Sequence, residues 1–518
     1  MRSFQLSLGV ILMFFCSEVF SQGFVENALL FSRTKPGGSA RIQGMGGAQV
    51  ALGGDYSSAL ANPAGLGMFN RSEFTFSPGL NFYTSESGHL GNNDSDSKTV
   101  LTIPGVSLVW NKPAENGKFL GGSFGISLSR INDFQNSFQY GTNTSDPSII
   151  DYFVQDANAI GSSTADFENN VYGGDIRTQL AYYNFLVEDS SYYSGSPQKY
   201  FSLLGTYPDD PDDIRHFNRV GNVDIKGAQY QLSLAYGGNV SDQFFFGGSV
   251  GVTTLRYRFK SLYRESNYSF ELSPSYNPLD YLQLEETIDV EGSGINLTLG
   301  VIWRPVNFVQ IGASLLTPTF YALTDTYTAT LKTQWNNFDY YGDGSRFLNS
   351  ESDRIEPLIS EYNITTPLKF STGIAFFVGK YGFITGDVEF INYGKSKYSS
   401  DTPDVSFNPE NNEIRSSFTD VINTRVGAEL RYDVFRIRGG YALQANPYEQ
   451  GVSTTNYKQN TISFGAGLRF DKFFIDVAWL QATGKSVFNV YGFSDGTGPI
   501  TTLKNTLTST MITAGFNF

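Results

Sequence analysis

After Arg71, apolar and polar residues alternate with a period of two through most of the chain. Tyr230, Leu232, Leu234 and Tyr236 share one face opposite Gln229, Gln231 and Ser233. Ile295, Leu297, Leu299, Val301 and Trp303 oppose Asn296, Thr298 and Gly300, while Leu368, Phe370, Ile374, Phe376 and Val378 oppose Lys369, Ser371 and Gly373. The split recurs in Ile462, Phe464, Ala466, Leu468 and Phe470. It closes the chain with Ile512, Ala514, Phe516 and Phe518 against Thr513, Gly515 and Asn517. A period of two with unlike faces predicts β-strands between two different media. The connections alternate in length. Short ones, rich in turn formers, lie at 111–118, 239–242, 304–307, 379–382, 432–434 and 471–472. Long polar insertions lie at 84–98, 134–220, 263–287, 333–361, 394–417, 445–457 and 487–501. Seven long and six short connections imply about fourteen strands, with both ends on the short-turn side, which in outer-membrane barrels is the periplasm.

Charge sorting says which medium lies outside. Arg425, Glu429, Arg431, Arg436, Arg438, Arg469, Asp387, Glu389 and Asp476 all fall on the face opposite the apolar one. A charge facing lipid near mid-bilayer costs about 2–4 kcal/mol, so a membrane wall demands this sorting, whereas a soluble sandwich does not. The predicted fold is all-β: a 14-stranded antiparallel transmembrane β-barrel. A mean hydropathy of -0.22 looks soluble, but strands apolar on one face hide from such averages. The 44 Phe and 31 Tyr suit aromatic girdles at the two interfaces. A net charge of -14 argues against nucleic acid as a partner.

At the other end, Arg2 precedes the apolar run Leu6–Phe15, and Val19-Phe20-Ser21 offers a cleavage site. Residues 1–21 are therefore expected to be an export signal, with Gln22 the first mature residue. No segment approaches the roughly twenty apolar residues of a spanning helix. Phe15 stands where a small residue would precede a lipidated Cys16, which favours ordinary cleavage and leaves a mature chain without cysteine. Disulfides, thiol chemistry and Cys-based metal sites then fall away.

Residues 22–70 do not read as wall. They hold Gly37-Gly38, Gly44, Gly46-Gly47, Gly53-Gly54, Gly65 and Gly67 with small residues between, the composition of a segment packed inside something else. The expected division is signal peptide 1–21, an N-terminal lumen plug or hatch at 22–70, and a barrel at 71–518 whose longest outer loop is 134–220.

Gln22-Gly23-Phe24, Gly44-Met45-Gly46-Gly47-Ala48, Asp55 and Ser58-Ala59-Leu60-Ala61-Asn62-Pro63-Ala64-Gly65-Leu66 resemble the FadL/TodX family of outer-membrane channels for hydrophobic compounds. The close match covers about residues 22–66. Arg33-Thr34-Lys35-Pro36-Gly37-Gly38 is more basic and Gly-rich than the family usually is. The resemblance implies a monomeric channel that takes up long-chain fatty acids or related lipids and hydrocarbons. It implies capture at outer-loop helices, a hatch bearing Asn62, Pro63 and Ala64, a lumen site near Phe24, and sideways release through a gap beside the third strand. It also implies recognition of the terminal strand ending at Phe518 by the barrel assembly machinery of a Gram-negative outer membrane.

The residues offer candidates for these parts. Pro78-Gly79, Pro104-Gly105 and Gly121-Gly122 lie in the first three strands, where Pro removes a ladder donor and Gly favours a bulge; they mark either the wall opening or simple curvature. In loop 134–220, Ile149–Val154 and Leu180–Val187 have the makings of short amphipathic helices, for a capture site or a self-packed lid. Arg256, Arg258 and Lys260 share one face of the fifth strand and are expected inside, to receive a carboxylate or to hold a plug. No catalytic residue, cofactor or metal site is expected. His89 and His216 read as solvated loop residues, and Asp209-Asp210-Pro211-Asp212-Asp213 lacks the glycine and terminal Glu of an EF-hand. The rival reading is a PorV-like component of a protein secretion system, built on the FadL fold, that docks exported proteins. A third, an outer-membrane hydrolase, would need His89 or His216.

Overall fold

The computed structural model describes residues 19–114, 117–145, 147–190, 199–204, 214–273, 275–403 and 405–518. Most of the expected leader and the acidic run at 209–213 lie outside the described residues. Fourteen antiparallel staves form one closed sheet. They are β1 (Glu73–His89), β2 (Asn92–Pro113), β3 (Phe119–Asp133, continuing as Asn136–Thr144), β4 (Arg215–Val240), β5 (Phe244–Phe270) and β6 (Leu279–Val306). Next come β7 (Val309–Leu316, then Phe320–Asp339), β8 (Phe347–Arg354, Leu358–Thr365 and Lys369–Phe377) and β9 (Gly382–Asn392, then Lys397–Ser399). The circuit ends with β10 (Asp420–Tyr432), β11 (Phe435–Gln444), β12 (Gln459–Arg469), β13 (Phe473–Phe488) and β14 (Thr501–Asn517). β14 pairs with β1 from Glu73↔Asn517 to His89↔Thr501, so no edge remains where the sheet meets itself.

The alternation places Leu232, Leu234, Leu297, Leu299, Phe370, Phe464, Ile475 and Ile512 on the exposed outer face. Gln229, Gln231, Ser233, Asn296, Thr298, Ser463 and Thr513 are buried on the inner one. Towards the long-loop end the same backbone parity continues while the chemistry exchanges sides. In β5, Leu255 and Tyr263 are buried inside and Arg256, Arg258 and Lys260 are exposed outside. In β6, Leu282, Leu284 and Val290 point in while Asp289 and Glu291 point out. Below, the wall meets lipid; above, it meets water.

That exchange hid three stretches of strand. The insertions at 84–98, 263–287 and 333–361, expected as loops, largely continue the ladders of their hairpins; β1 and β2 meet at a tight turn, Leu90-Gly91, with φ of 46° and 88°. Their outer faces are polar, so no apolar alternation announces them. Insertion 134–220 begins and ends as β3 and β4. Between them it carries helices α4 (Ile149–Ile160), α5 (Thr164–Glu168) and α6 (Ile176–Tyr183), whose apolar faces pack with Tyr263, Leu284 and Trp335 as a cap over the bore. α4 covers one expected amphipathic stretch; the second expected helix ends at Tyr183, short of Val187.

The two zones of outer face are separable by substitution. Leu299→Arg, at a position 57% exposed in the lower zone, is expected to destabilise the barrel by about 2–4 kcal/mol. Arg256→Ala, in the upper zone, should leave the urea unfolding midpoint of the lipid-reconstituted protein unchanged.

Candidate functional site

Ahead of β1 lie α1 (Val19–Ser32), α2 (Ala40–Gln43), α3 (Ser58–Ala61) and a 3-10 turn at Pro63–Met68. The segment from Ser39 to Met68 meets every stave. Ala40 N–H donates to Thr513 of β14 (2.8 Å), Gly46 N–H to Ser463 of β12 (2.8 Å), and Gln49 and Val50 N–H to Asp387 of β9 (2.6 and 2.9 Å). Ser314 of β7 donates to Ala61 O (2.6 Å), and Ser77 of β1 hydrogen-bonds Tyr56 (3.2 Å). Elsewhere glycine lets chain touch chain. Gly427 and Gly440 of β10 and β11 back onto Met45, and Gly373 of β8 onto Val50. Gly300 of β6 meets Asn62, Gly247 and Gly237 of β5 and β4 meet Pro63, Gly125 of β3 meets Leu66, and Gly105 of β2 meets Tyr56. Ala478 of β13 packs on Ala40. A segment that touches all fourteen staves of a closed cylinder on their inner faces lies across its bore.

Its own fold is tied by short polar contacts. Asp55 accepts from Ser39 and Ser57 Oγ (both 2.6 Å), closing the two ends of the segment's first loop on one carboxylate. Asn62 caps the 3-10 turn, accepting from Ala64 N–H (3.2 Å), and its amide donates to Val50 O (2.7 Å) and to Val301 O of β6 (3.2 Å). Pro63 opens the turn, where its missing N–H costs nothing. Arg41 reaches Gly53 O, Gly54 O and Glu429 (3.3, 3.2 and 3.4 Å). Glu429 belongs to a buried charge chain in which Arg438 bridges Glu429 (2.7 Å) and Asp476 (2.6 Å) with no exposure of its own side chain.

Outward of this segment a polar cavity of about 100 Å³ opens between it and the wall, lined by Lys35, Gln49, Tyr321, Thr366, Lys369 and Arg425 among others. α1 crosses the bore above it. Val25, Ala28, Leu29 and Phe31 pack with Leu255, Tyr321, Ile364 and Val421 of the wall, and with Ile414 of α7 (Asn408–Ser417). Phe24 stands edge-on to Tyr362, Tyr398 and Phe407, at ring-centre distances of 5.4, 5.3 and 5.5 Å. Its carbonyl accepts from the Tyr398 hydroxyl (2.8 Å). Glu26, on the accessible side of α1 but enclosed by the wall, has its pKa pushed up to about 7 by burial, with Glu413 of α7 adding to the rise.

The wall has a seam. β2 pairs with β3 only from Pro113↔Gly121 to Gly105↔Ser129. Beyond that level β2 is paired with β1 alone and β3 with β4 alone. The freed end of β3 is held instead by side chains: Asn81 and Tyr83 of β1 donate to Asp133 and Ser85 to Asn136, while near the top Ser137 and Gln139 donate to Asp96 and Asp94 of β2 and Asn92 of β2 donates to Gly141 O. Pro78 and Gly79 sit at a register shift facing Pro104, and Gly105 is the last residue of β2 to pair with β3, so these four mark the foot of the seam. Gly121 and Gly122 do not. They lie at the short-turn end of β3, with Gly121 at φ 111° and Gly122 against Tyr236. Behind the seam stand Lys35, whose N–H donates to Ile131 O (2.8 Å), and Gly37, packed on Ser129 and Arg130.

The lumen role expected of Arg256, Arg258 and Lys260 is overturned. They face outward: Arg258 pairs with Asp289 (2.5 Å), and the Arg256 side chain, 84% exposed, stands 4.0 Å from Glu291. The inward rule applied to them holds only where lipid lies outside. His89 is buried, 4.9 Å from the Tyr140 ring and bonded to Thr501 (2.8 Å), rather than solvated. His216 pairs with Glu271 (2.8 Å) at the surface. Lys35, Tyr56, Lys369 and Asp387 were not read from sequence as site residues, although the alternation placed Lys369 and Asp387 on the inner face.

No protein-family model matches the chain, and no curated protein matches it in sequence. Solved structures do. A FadL homologue of Pseudomonas aeruginosa superposes with a TM-score of 0.55 at 11% identity, over 94% of this chain and 99% of that one. The toluene transporters TodX of P. putida and TbuX of Ralstonia pickettii give TM-scores of 0.49 and 0.45, each at 14% identity over 93% of this chain and 99% of theirs. The chain thus has the fold of the FadL homologue, a closed antiparallel β-barrel.

Two measurements probe this interior. Arg438→Ala would remove the buried guanidinium that joins Glu429 to Asp476, leaving Glu429 to Arg41 and Arg431 and Asp476 to Arg469 alone at 3.6 Å, and is expected to cost up to about 3 kcal/mol, read as a fall in the urea midpoint. Glu26 has a folded pKa raised above its ordinary 4.5, so its contribution is fully present below that value and is lost as pH rises through about 7. Rate-corrected hydrogen exchange should therefore show α1 less protected at pH 8 than at pH 5, and Glu26→Gln should flatten the difference.

Proposed function

We propose that this protein passes hydrophobic small molecules, long-chain fatty acids or related lipids and hydrocarbons, across the outer membrane and releases them sideways into the bilayer. The observation that carries the reading is the β2–β3 seam backed by Lys35 and Gly37. The bore is crossed by residues 39–68, which leaves no wide water column of the kind a porin needs, while the wall is unpaired at one side. Apolar cargo has little affinity for a water column and much for lipid, so a gap in the ladder suits it better than a pore. Leu101, 77% exposed on β2 beside the seam, gives the outer side of the gap an apolar rim.

In this reading the α4–α6 cap receives cargo, the aromatic cluster around Phe24 holds it, and residues 22–70 act as the hatch. Asn62, Pro63 and Ala64 clamp the hatch to β4–β6, and Pro78, Gly79, Pro104 and Gly105 keep the foot of the seam unzipped. The protein acts as a monomer surrounded by outer-membrane lipids, after insertion by the assembly machinery through the terminal strand that ends at Phe518. The shared fold of the P. aeruginosa FadL homologue supports this assignment.

A cross-link tests it. A Cβ on Gly37 would stand 3.7 Å from that of Ser129, close to the separation that a disulfide spans. Oxidised Gly37→Cys/Ser129→Cys should lower uptake of a labelled long-chain fatty acid by cells at least tenfold, and reduction should restore it. Unchanged uptake in the oxidised state, or co-purification of a folded protein in place of bound lipid, would sink the proposal.

A further inference from the structure

Three neighbouring staves are interrupted at one level: β7 at 317–319, β8 at 366–368 and β9 at 393–396. Across β7 and β8 the register is kept on both sides, Leu316↔Lys369 below and Phe320↔Thr365 above, which sets Pro318 opposite Pro367. Two prolines facing each other remove both N–H donors from that rung. What remains is a threonine clasp, with Thr366 N–H donating to Thr319 O (3.0 Å) and Thr319 N–H to Thr366 Oγ1 (2.9 Å). Across β8 and β9 the register slips, from Lys369↔Ile391 to Thr365↔Lys397, so three residues of β8 face five of β9.

Outside this break lies a groove of about 420 Å³, bordered by Pro318, Pro367, Leu368, Phe370 and Phe390, with Lys395 and the carboxylate of Asp420 also lining it. Leu368, Phe370 and Phe390 point to the lipid side, and Lys395 is exposed at the rim. Thr366 borders both this groove and the inner polar cavity. The inner side is stopped by the start of the hatch. Lys369 donates to Ser32 O (3.1 Å) and Thr34 Oγ1 (2.6 Å), and Ser32 bonds Ser396 of the break itself (3.2 Å). The lower part of β7 is eight residues long. At about 3.3 Å per residue and a tilt of about 40° the break stands roughly 20 Å above the short-turn rim, near the outer edge of an apolar band about 25 Å tall.

We propose that this break is a second lateral opening, on the far side of the barrel from the β2–β3 seam, which seats a single-chain amphiphile with an anionic head. Its hydrocarbon chain lies along Leu368, Phe370 and Phe390, and its head group lies by Lys395 at the membrane surface. Release of Ser32–Thr34 from Lys369 joins the groove to the inner cavity, where Lys35 and Lys369 offer the next cationic stations. The fit rests on the continuity through Thr366, on cations at both ends of an apolar track, and on depth in the bilayer. It rests also on the proposed passage of apolar molecules, to which it adds a route.

The full-length protein in phosphatidylcholine vesicles, irradiated with a diazirine-bearing long-chain fatty acid, tests it by mapping labelled peptides. Wild type is expected to label at 366–370 and 390–395 and also in the cavity at 31–37. Thr366→Trp should keep the groove label and cut the label at 31–37 at least tenfold. Leu368→Cys, alkylated with a bulky maleimide after folding, should remove the groove label without any demand on folding. Cavity label with none at 366–370 and 390–395, or an unaltered pattern in both variants, would overturn the second opening while leaving the passage function standing. No label anywhere in the bore would overturn the function beneath it.

Discussion

One parity runs through every stave, and what it separates changes with height. The backbone can only send alternate side chains to opposite faces, so the outside medium dictates one set and the contents of the bore dictate the other. In the lower zone lipid forces Leu, Phe and Ile outward, and the inner face is left to Ser, Thr, Asn and Gln, which can bond a packed segment. In the upper zone water outside accepts Arg256 and Arg258, and the inner face turns to Leu255, Tyr263 and Leu284 beneath an apolar cap. The wall is therefore a membrane barrel below and an ordinary globular core above, without a break in the ladder of β5 or β6.

The segment across the bore depends on that inner face. Its backbone approaches the wall at glycines, and the N–H groups of Ala40, Gly46, Gln49 and Val50 fall on Thr513, Ser463 and Asp387, so these donors lose water without losing partners. The charge chain of Arg41, Glu429, Arg438 and Asp476 is similarly closed on itself. Isolated buried charges would be costly, and here each has an opposite neighbour. Such contacts are individually modest and spread around the circumference.

Unpaired backbone cannot face hydrocarbon, so a membrane wall loses its ladder only where something else covers the break. Both places where staves part obey this. The β2–β3 seam is backed by Lys35 and Gly37 and starts eight residues above the short turn; the β7–β9 break is backed by Ser32 and Thr34 and starts at a similar height. Both stoppers belong to the stretch 32–37, directly between α1 and α2. Movement of α1 would act on both at once.

The strand class, the count of staves, the lower outer face and the inward charges Asp387, Arg425, Glu429, Arg438 and Asp476 were all legible in the sequence, because a membrane punishes any exception to alternation. So was the unusual composition of residues 22–70, since only a confined segment uses so many glycines. The upper staves were not legible, because polar outer faces in water leave no apolar period. For the same reason Arg256, Arg258 and Lys260 read as inward when they face out. Which residues close the two breaks, and that Pro318 stands opposite Pro367, depend on register between strands some fifty residues apart. Register between distant strands is set by the closure of the whole cylinder, and only the tertiary structure decides it.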